Sequence, residues 1–315
     1  MNYALFFLVF FISGILAYYI QNIFIHYKKF DGFNYRSSHS TLATRTGGIG
    51  VFITLLSIST FYYFNDIVLF DYSLFIPLGI MFIVGVYDDF YNADFKLKFL
   101  LQIIVAKIII DQGYVITNYH GLLGFYEIPW FLAQLSTLFV FLVIINSINF
   151  IDGIDGLAIS EIIKTILLIE LFSLEETPLN IVGMILIFSL LPLYYFNFKK
   201  KRKIFLGDGG SLLLGTIISI YIFHVLGNDY SFKFGFEINK VIFTIIIIFY
   251  PLVDLLRVFI LRISEGKSPF SADKKHLHHL ILKKTDSHIS VVLIIMLMSL
   301  ISIWLLFGLL KTVLF

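Results

Sequence analysis

The chain has 315 residues, of which 59% are hydrophobic and 14% charged, and its formal net charge is +2. So small a charged fraction cannot cover a soluble domain of this size, which excludes a water-soluble enzyme and predicts an integral α-helical membrane protein, one transmembrane domain over 1–315. Cysteine is absent, so disulfides, Cys-ligated zinc, iron–sulfur clusters and thiol nucleophiles are excluded as well.

Ten apolar segments follow in chain order: 3–25, 47–64, 73–87, 97–111, 129–150, 157–173, 180–197, 211–227, 240–261 and 289–309. Their lengths predict an all-α polytopic bundle of about ten transmembrane helices. The first segment lacks a basic leader and a small-residue cleavage site, so it reads as a retained span. The third and fourth look short, so their helices should reach into the flanking loops. Of the 23 Lys and Arg residues, 17 fall in the connections after odd-numbered spans, including the "KKKRK" run at 199–203. By the positive-inside rule those connections, and the catalytic loops they carry, are expected on the cytoplasmic face.

The unusual polar residues collect on the same side. "NSINFIDGIDGLA" places Asn146, Asn149, Asp152 and Asp155 three residues apart at the end of an apolar run. If the helix continues, they form one drifting polar ridge, and amides and carboxylates at membrane depth need a cavity, an ion or a partner. Interhelical hydrogen bonding is the plainer alternative. Asp88 and Asp89 in "YDDF" point about 100° apart on a helix, so they should serve different partners; an ordinary cap is the other reading. "FLGDGGS" sets Asp208 among glycines at a helix start, where backbone N–H groups suit phosphate oxygens. A carboxylate there needs a bridging divalent cation, and hard oxygen donors point to Mg²⁺, with Mn²⁺ the alternative; a simple helix cap is again the rival. "HLHHL" supplies His276, His278 and His279, read as a diphosphate-facing basic loop, with a zinc site or a solvated loop as competitors. Together these describe chemistry on a phosphorylated soluble donor and a lipid-borne acceptor.

In order along the chain, "RSSH" with "TRTGGIG", "VGVYDDF" with "KLKFLLQ", "NSINFIDGIDGLA", "KIFLGDGGS" and "YPLVD" through "SADKKHLHHL" resemble the polyprenyl-phosphate N-acetylhexosamine-1-phosphate transferases. The His-x-His-His form is similar to the N-acetylglucosamine-1-phosphate branch, the WecA/TagO type. The resemblance implies Mg²⁺-dependent transfer of a sugar 1-phosphate from a UDP-N-acetylhexosamine to undecaprenyl phosphate with release of UMP. It implies a catalytic role for Asp88 and Asp89 and a metal-binding one for Asp208 and Asp155. It implies donor binding by Asn146, Asn149, Asp152, Asn197, Phe205, Gly207, His276, His278 and His279. Arg36, His39, Arg45, Lys98 and Gln102 fall on the lipid-phosphate or substrate side. The implied setting is the bacterial inner membrane, with the bilayer as a partner, no nucleic acid, and a homodimer compatible with the family. Two rival readings are the muramoyl-pentapeptide branch and, from another class, a transporter with intramembrane acids.

Overall fold

The protein is described here from a computed structural model, covering residues 3–30, 43–236, 238–268 and 275–313. In chain order it comprises α1 (Tyr3–His26), β1 (Ala43–Thr44), α2 (Gly47–Tyr63), α3 (Phe75–Tyr91), α4 (Phe95–Asp111), β2 (Asn118–Leu122) and β3 (Phe125–Glu127). There follow α5 (Trp130–Ile151), α6 (Leu157–Phe172), α7 (Asn180–Phe198), β4 (Lys203–Ile204), α8 (Gly207–Leu226), α9 (Lys240–Ile247), α10 (Phe249–Ser264), α11 (Leu277–Thr285) and α12 (His288–Val313). A helix stands at each of the ten predicted segments. Among the described residues six helices are long and apolar enough to cross a membrane, and up to seven if the bent pair α9–α10 forms one span. The molecule is therefore a mostly helical, multi-pass membrane protein. Helix α1 exposes Phe7, Phe11, Ile15 and Tyr18, and α12 exposes Leu293, Leu297 and Trp304. In water such faces would aggregate; in lipid they meet a solvent of their own polarity.

The chain divides into two compact units, Met1–Ile108 with Glu176–Ile217, and Ile109–Glu175 with Ile218–Phe315. In the first unit α1 packs against α2 and α7. Ser13 Oγ donates to the Ser189 carbonyl at 2.6 Å, and Gln21 Nε2 donates to the carbonyls of Arg202 and Lys203. Strands β1 and β4 pair in parallel, Ala43 with Lys203 and Thr44 with Ile204. That short ladder delivers two helix starts to one place. The N–H groups of Gly47 and Gly48 donate to the carbonyls of Phe205 and Leu206 at 2.9 and 2.8 Å. The approach is backbone to backbone: a Cβ on Gly48 would stand 2.2 Å from the Gly210 nitrogen, and one on Gly85 2.2 Å from the Asp208 carbonyl oxygen. Only glycine permits it.

In the second unit α10 packs on α5, and α12 on α11, α6 and α9. The segment read as one span over 240–261 is two helices, bent by 76° at Ile248. Pro251 explains the break. It offers no N–H to the Ile247 carbonyl four residues back, and its ring crowds that carbonyl, so α9 ends there. Lys164, the odd cation in α6, is paired within the unit. It donates to buried Glu161 one turn earlier and to Ser299 Oγ of α12 at 2.8 Å, so the buried carboxylate and ammonium neutralise each other.

Candidate active site

The first unit gathers three carboxylates and two cations around the start of α8. Helix α3 runs on to Tyr91 and is closed by Asn92 in the left-handed conformation (φ 52°). The tight turn to α4, with the Ala93 N–H donating to Asp88 Oδ1 at 2.8 Å, brings Lys98 back over Asp88. Lys98 Nζ lies 2.6 Å from Asp88 Oδ2 and 2.7 Å from Asp208 Oδ2, so two acids from different helices converge on one point. Lys98 is mostly buried there, while Asp208 keeps 31% of its side chain exposed. Asp89 does something different. Its carboxylate accepts from the N–H groups of Asp208 and Gly209 at 3.1 and 3.0 Å and from Arg45 Nη1 at 3.3 Å. Two of the amide groups that the sequence offers to phosphate are thus occupied by a carboxylate of the chain itself, which satisfies the helix terminus and its dipole. Gly207, at φ +76°, makes the turn possible, since a Cβ there would stand 2.7 Å from Asp89 Oδ2.

Asn197 is buried, and its Nδ2 donates to the Ile204 carbonyl at 2.8 Å, bracing the "KIF" segment; Phe205 beside it is half-buried and Gln102 fully buried. Arg36 and His39 lie outside the described residues.

The second unit carries the other polar group. The continuous ridge expected from Asn146 to Asp155 does not form. Helix α5 ends at Ile151, Asp152 is its C-cap, and 152–156 is a turn that closes on Gly156 at φ +77°. Two glycines in five residues end the helix where a ridge would need it to go on. Asn146 and Asn149 therefore stay on α5, and Asn146 Nδ2 donates to the Leu142 carbonyl. Asp155 stands in the turn, its backbone nitrogen and Oδ2 each 3.1 Å from His288 Nδ1.

The His loop enters α11 with His276 as N-cap residue. His276 Nδ1 is 2.8 Å from Asp254 Oδ2, and the Leu277 N–H donates to Asp254 Oδ1 at 2.8 Å. Arg257 also donates to Asp254 and to the Lys275 carbonyl. His278 is fully buried, with Nδ1 3.1 Å from Tyr250 Oη. Burial, with His279, His276 and Arg257 nearby, holds its imidazole well below the usual histidine range. The rings of His276 and His278 stack 5.4 Å apart, and His279 lies 4.4 Å from His278. A Cβ on Gly153 would stand 3.3 Å from His278 Nε2 and 3.5 Å from His279 Nε2, so this glycine keeps the loop and the turn in contact.

A family model described as glycosyl transferase family 4 matches residues 72–226. A Bacillus subtilis protein named probable undecaprenyl-phosphate N-acetylglucosaminyl 1-phosphate transferase is 30% identical over 272 residues, 84% of this chain and 72% of that protein. The chain belongs to glycosyl transferase family 4. An undecaprenyl-phosphate alpha-N-acetylglucosaminyl 1-phosphate transferase of Salmonella typhi is 28% identical over 288 residues, covering 87% of this chain and 75% of the relative. A decaprenyl-phosphate N-acetylglucosaminephosphotransferase of Mycobacterium tuberculosis is 29% identical over 286 residues, 82% and 70% of the two chains.

For this family 4 protein the donor set around Lys98 suits a hard divalent cation. Asp88 and Asp208 turn anionic oxygens on one point that a positive group already holds. Among the described residues no three His, Asp or Glu side chains stand close enough to form a complete metal cage. Mg²⁺ rarely needs one, because it is held by one or two carboxylates and completes its shell with water and substrate phosphate. Reading the sequence assigned no role to Tyr250, Asp254, Arg257 or His288. A signal existed: Asp254 and Arg257 are spaced i, i+3 in an apolar helix, one turn after Tyr250.

Proposed function

We propose that the protein transfers an N-acetylhexosamine 1-phosphate, in the first instance GlcNAc 1-phosphate, from a UDP-sugar to undecaprenyl phosphate and releases UMP. The observation that carries this is the convergence of Asp88 and Asp208 on Lys98, at a glycine-bound helix start, in a multi-pass chain of this family. Phosphoryl transfer asks a protein for positioning and charge more than for covalent chemistry. Asp208 and Asp88 would hold Mg²⁺, which when bound would supply positive charge against the donor diphosphate. Lys98 neutralises anionic oxygens at the reacting centre, and Asp88 orients it. Asp89 and Arg45 hold the start of α8 in place. His276, His278 and His279 offer hydrogen bonds to anionic oxygens, and the Phe205 ring offers a face for a base. The product, a lipid-linked sugar diphosphate, would open the synthesis of a cell-surface polysaccharide.

Purified protein given undecaprenyl phosphate, Mg²⁺ and a panel of UDP-sugars is expected to release UMP with UDP-GlcNAc, and EDTA should stop the release. Lipid-dependent UMP release with no UDP-N-acetylhexosamine would reject the reading.

The same proposal puts the protein in a bacterial inner membrane with ten crossings and the polar loops in the cytoplasm, because the basic residues concentrate there. The chain has no cysteine, so single cysteines report topology cleanly. In right-side-out vesicles a cysteine at Asn228 is expected to react with an impermeant maleimide, and one at Lys200 only after lysis. The reverse pattern would overturn the orientation.

A further inference from the structure

Tyr250 and Asp254 lie one helical turn apart at the start of α10, on the helix that begins where Pro251 breaks the span. Asp254 bonds His276 and Tyr250 bonds His278, while Asp254 Oδ2 lies 3.9 Å from His278 Nδ1, beyond hydrogen-bond reach, so each residue limits where the proton on its own ring resides. Asp254 Oδ2 stands 2.8 Å from His276 Nδ1, while its Oδ1 is taken by the Leu277 N–H and Arg257. A carboxylate with those partners only accepts, so His276 must carry a proton on Nδ1. In the neutral ring Nε2 is then a lone pair.

At His278 the partner is a hydroxyl, and the logic inverts. Tyr250 Oη is buried, and its hydrogen bond is to His278 Nδ1 at 3.1 Å. If Nδ1 donated, the tyrosine O–H would lack an acceptor and a buried donor would be left unmet. If Tyr250 donates, both atoms of the contact are satisfied and the ring proton moves to Nε2. That Nε2 is fully buried and has no partner among the described residues, and it points to the Gly153 turn.

We propose that Asp254 and Tyr250 are positioning residues that lock His276 and His278 into opposite tautomers, so that two stacked rings present an acceptor and a donor side by side. The stack is nearly parallel, with 9° between the planes and 5.4 Å between the ring centroids, so the two rings lie face to face. The matching chemistry is an anionic oxygen, which takes the His278 N–H, next to a hydroxyl or water, which gives its hydrogen to His276. A sugar diphosphate offers both. This identification of the ligand rests on the transferase reading; the tautomers do not. The low basicity of buried His278 agrees with a neutral ring that gives a hydrogen bond without carrying charge.

The test is nitrogen-15 spectroscopy of the full chain, histidine-labelled, in lipid nanodiscs near neutral pH without ligand. His276→Gln and His278→Gln assign the two rings. The expected result is Nδ1–H for His276 and Nε2–H for His278. Tyr250→Phe should change the His278 pattern alone, and Asp254→Asn the His276 pattern alone. Each variant should also lower kcat/KM roughly 10- to 100-fold, as the loss of an outer-shell partner does. Identical tautomers in the two rings, or a His278 spectrum unchanged by Tyr250→Phe, would overturn the proposal. Because the spectra need no substrate, failure of UMP release would count against the transferase reading and leave this result standing.

Discussion

Replacing Lys98 with alanine is expected to abolish turnover, by about 100-fold or more, the usual effect of deleting a charge-stabilising donor. The geometry gives the reason. Lys98 Nζ is the point at which Asp88 Oδ2 and Asp208 Oδ2 meet, at 2.6 and 2.7 Å. Without the ammonium, two carboxylates from α3 and α8 repel each other across a partly buried space. Removing one partner of a fully buried ion pair costs about 3–5 kcal/mol. Asp208 is 31% exposed here, so water shares the load and the loss in stability should be smaller. A divalent cation can replace the missing charge. Thermal unfolding of the alanine variant should therefore be raised by Mg²⁺ more than that of the unmodified chain, while turnover stays lost. Adding Asp208→Asn to the variant should recover stability without activity. Turnover like that of the unmodified chain in Lys98→Ala would remove this residue from the reacting centre.

The second large effect is structural. Gly48→Ala places a methyl 2.2 Å from the Gly210 nitrogen and 2.3 Å from its Cα; Gly85→Ala places one 2.2 Å from the Asp208 oxygen. These neighbours are backbone, so no rotamer change relieves the contact, and the helices must part by about 1 Å. Overpacking of this kind costs about 1–3 kcal/mol or more. Displacing Asp208 by a similar distance is worth about 100-fold in rate even where the protein folds. Gly79→Ala on the same helix is the control. A Cβ there would meet only the Phe52 ring, at 3.8 Å, and alanine favours the helix. Detergent-solubilised yield, unfolding temperature and UMP release should fall steeply for the first two and hold for the third. A well-folded, active Gly48→Ala protein would show that the close approach of α2 and α8 is not required.

Much of the architecture is legible in composition and periodicity, because lipid imposes one rule on every span. Each backbone group must be satisfied within its own helix, so long apolar runs predict helices wherever they occur. Ten runs became helices, and the break in the ninth was written in Pro251, whose effect on a carbonyl four residues back is local. The chemistry-bearing residue types were legible as well, since acids, amides and imidazoles stand out against a chain with 59% hydrophobic residues.

What the sequence could not decide is which of these groups share a proton or a charge. Asp88 and Asp89 are neighbours in the chain, yet one pairs with Lys98 and the other caps α8, because successive helical side chains diverge. The ridge from Asn146 to Asp155 looked continuous in spacing and is divided by a turn. Lys98 with Asp208, and Asp254 with His276, are 110 and 22 residues apart, and such pairings depend on tertiary packing. Residue types and helix-forming runs are properties of short stretches, so the sequence determined them by itself. Hydrogen bonds extend only about 3 Å, and partners so distant in the chain meet only once the helices have packed.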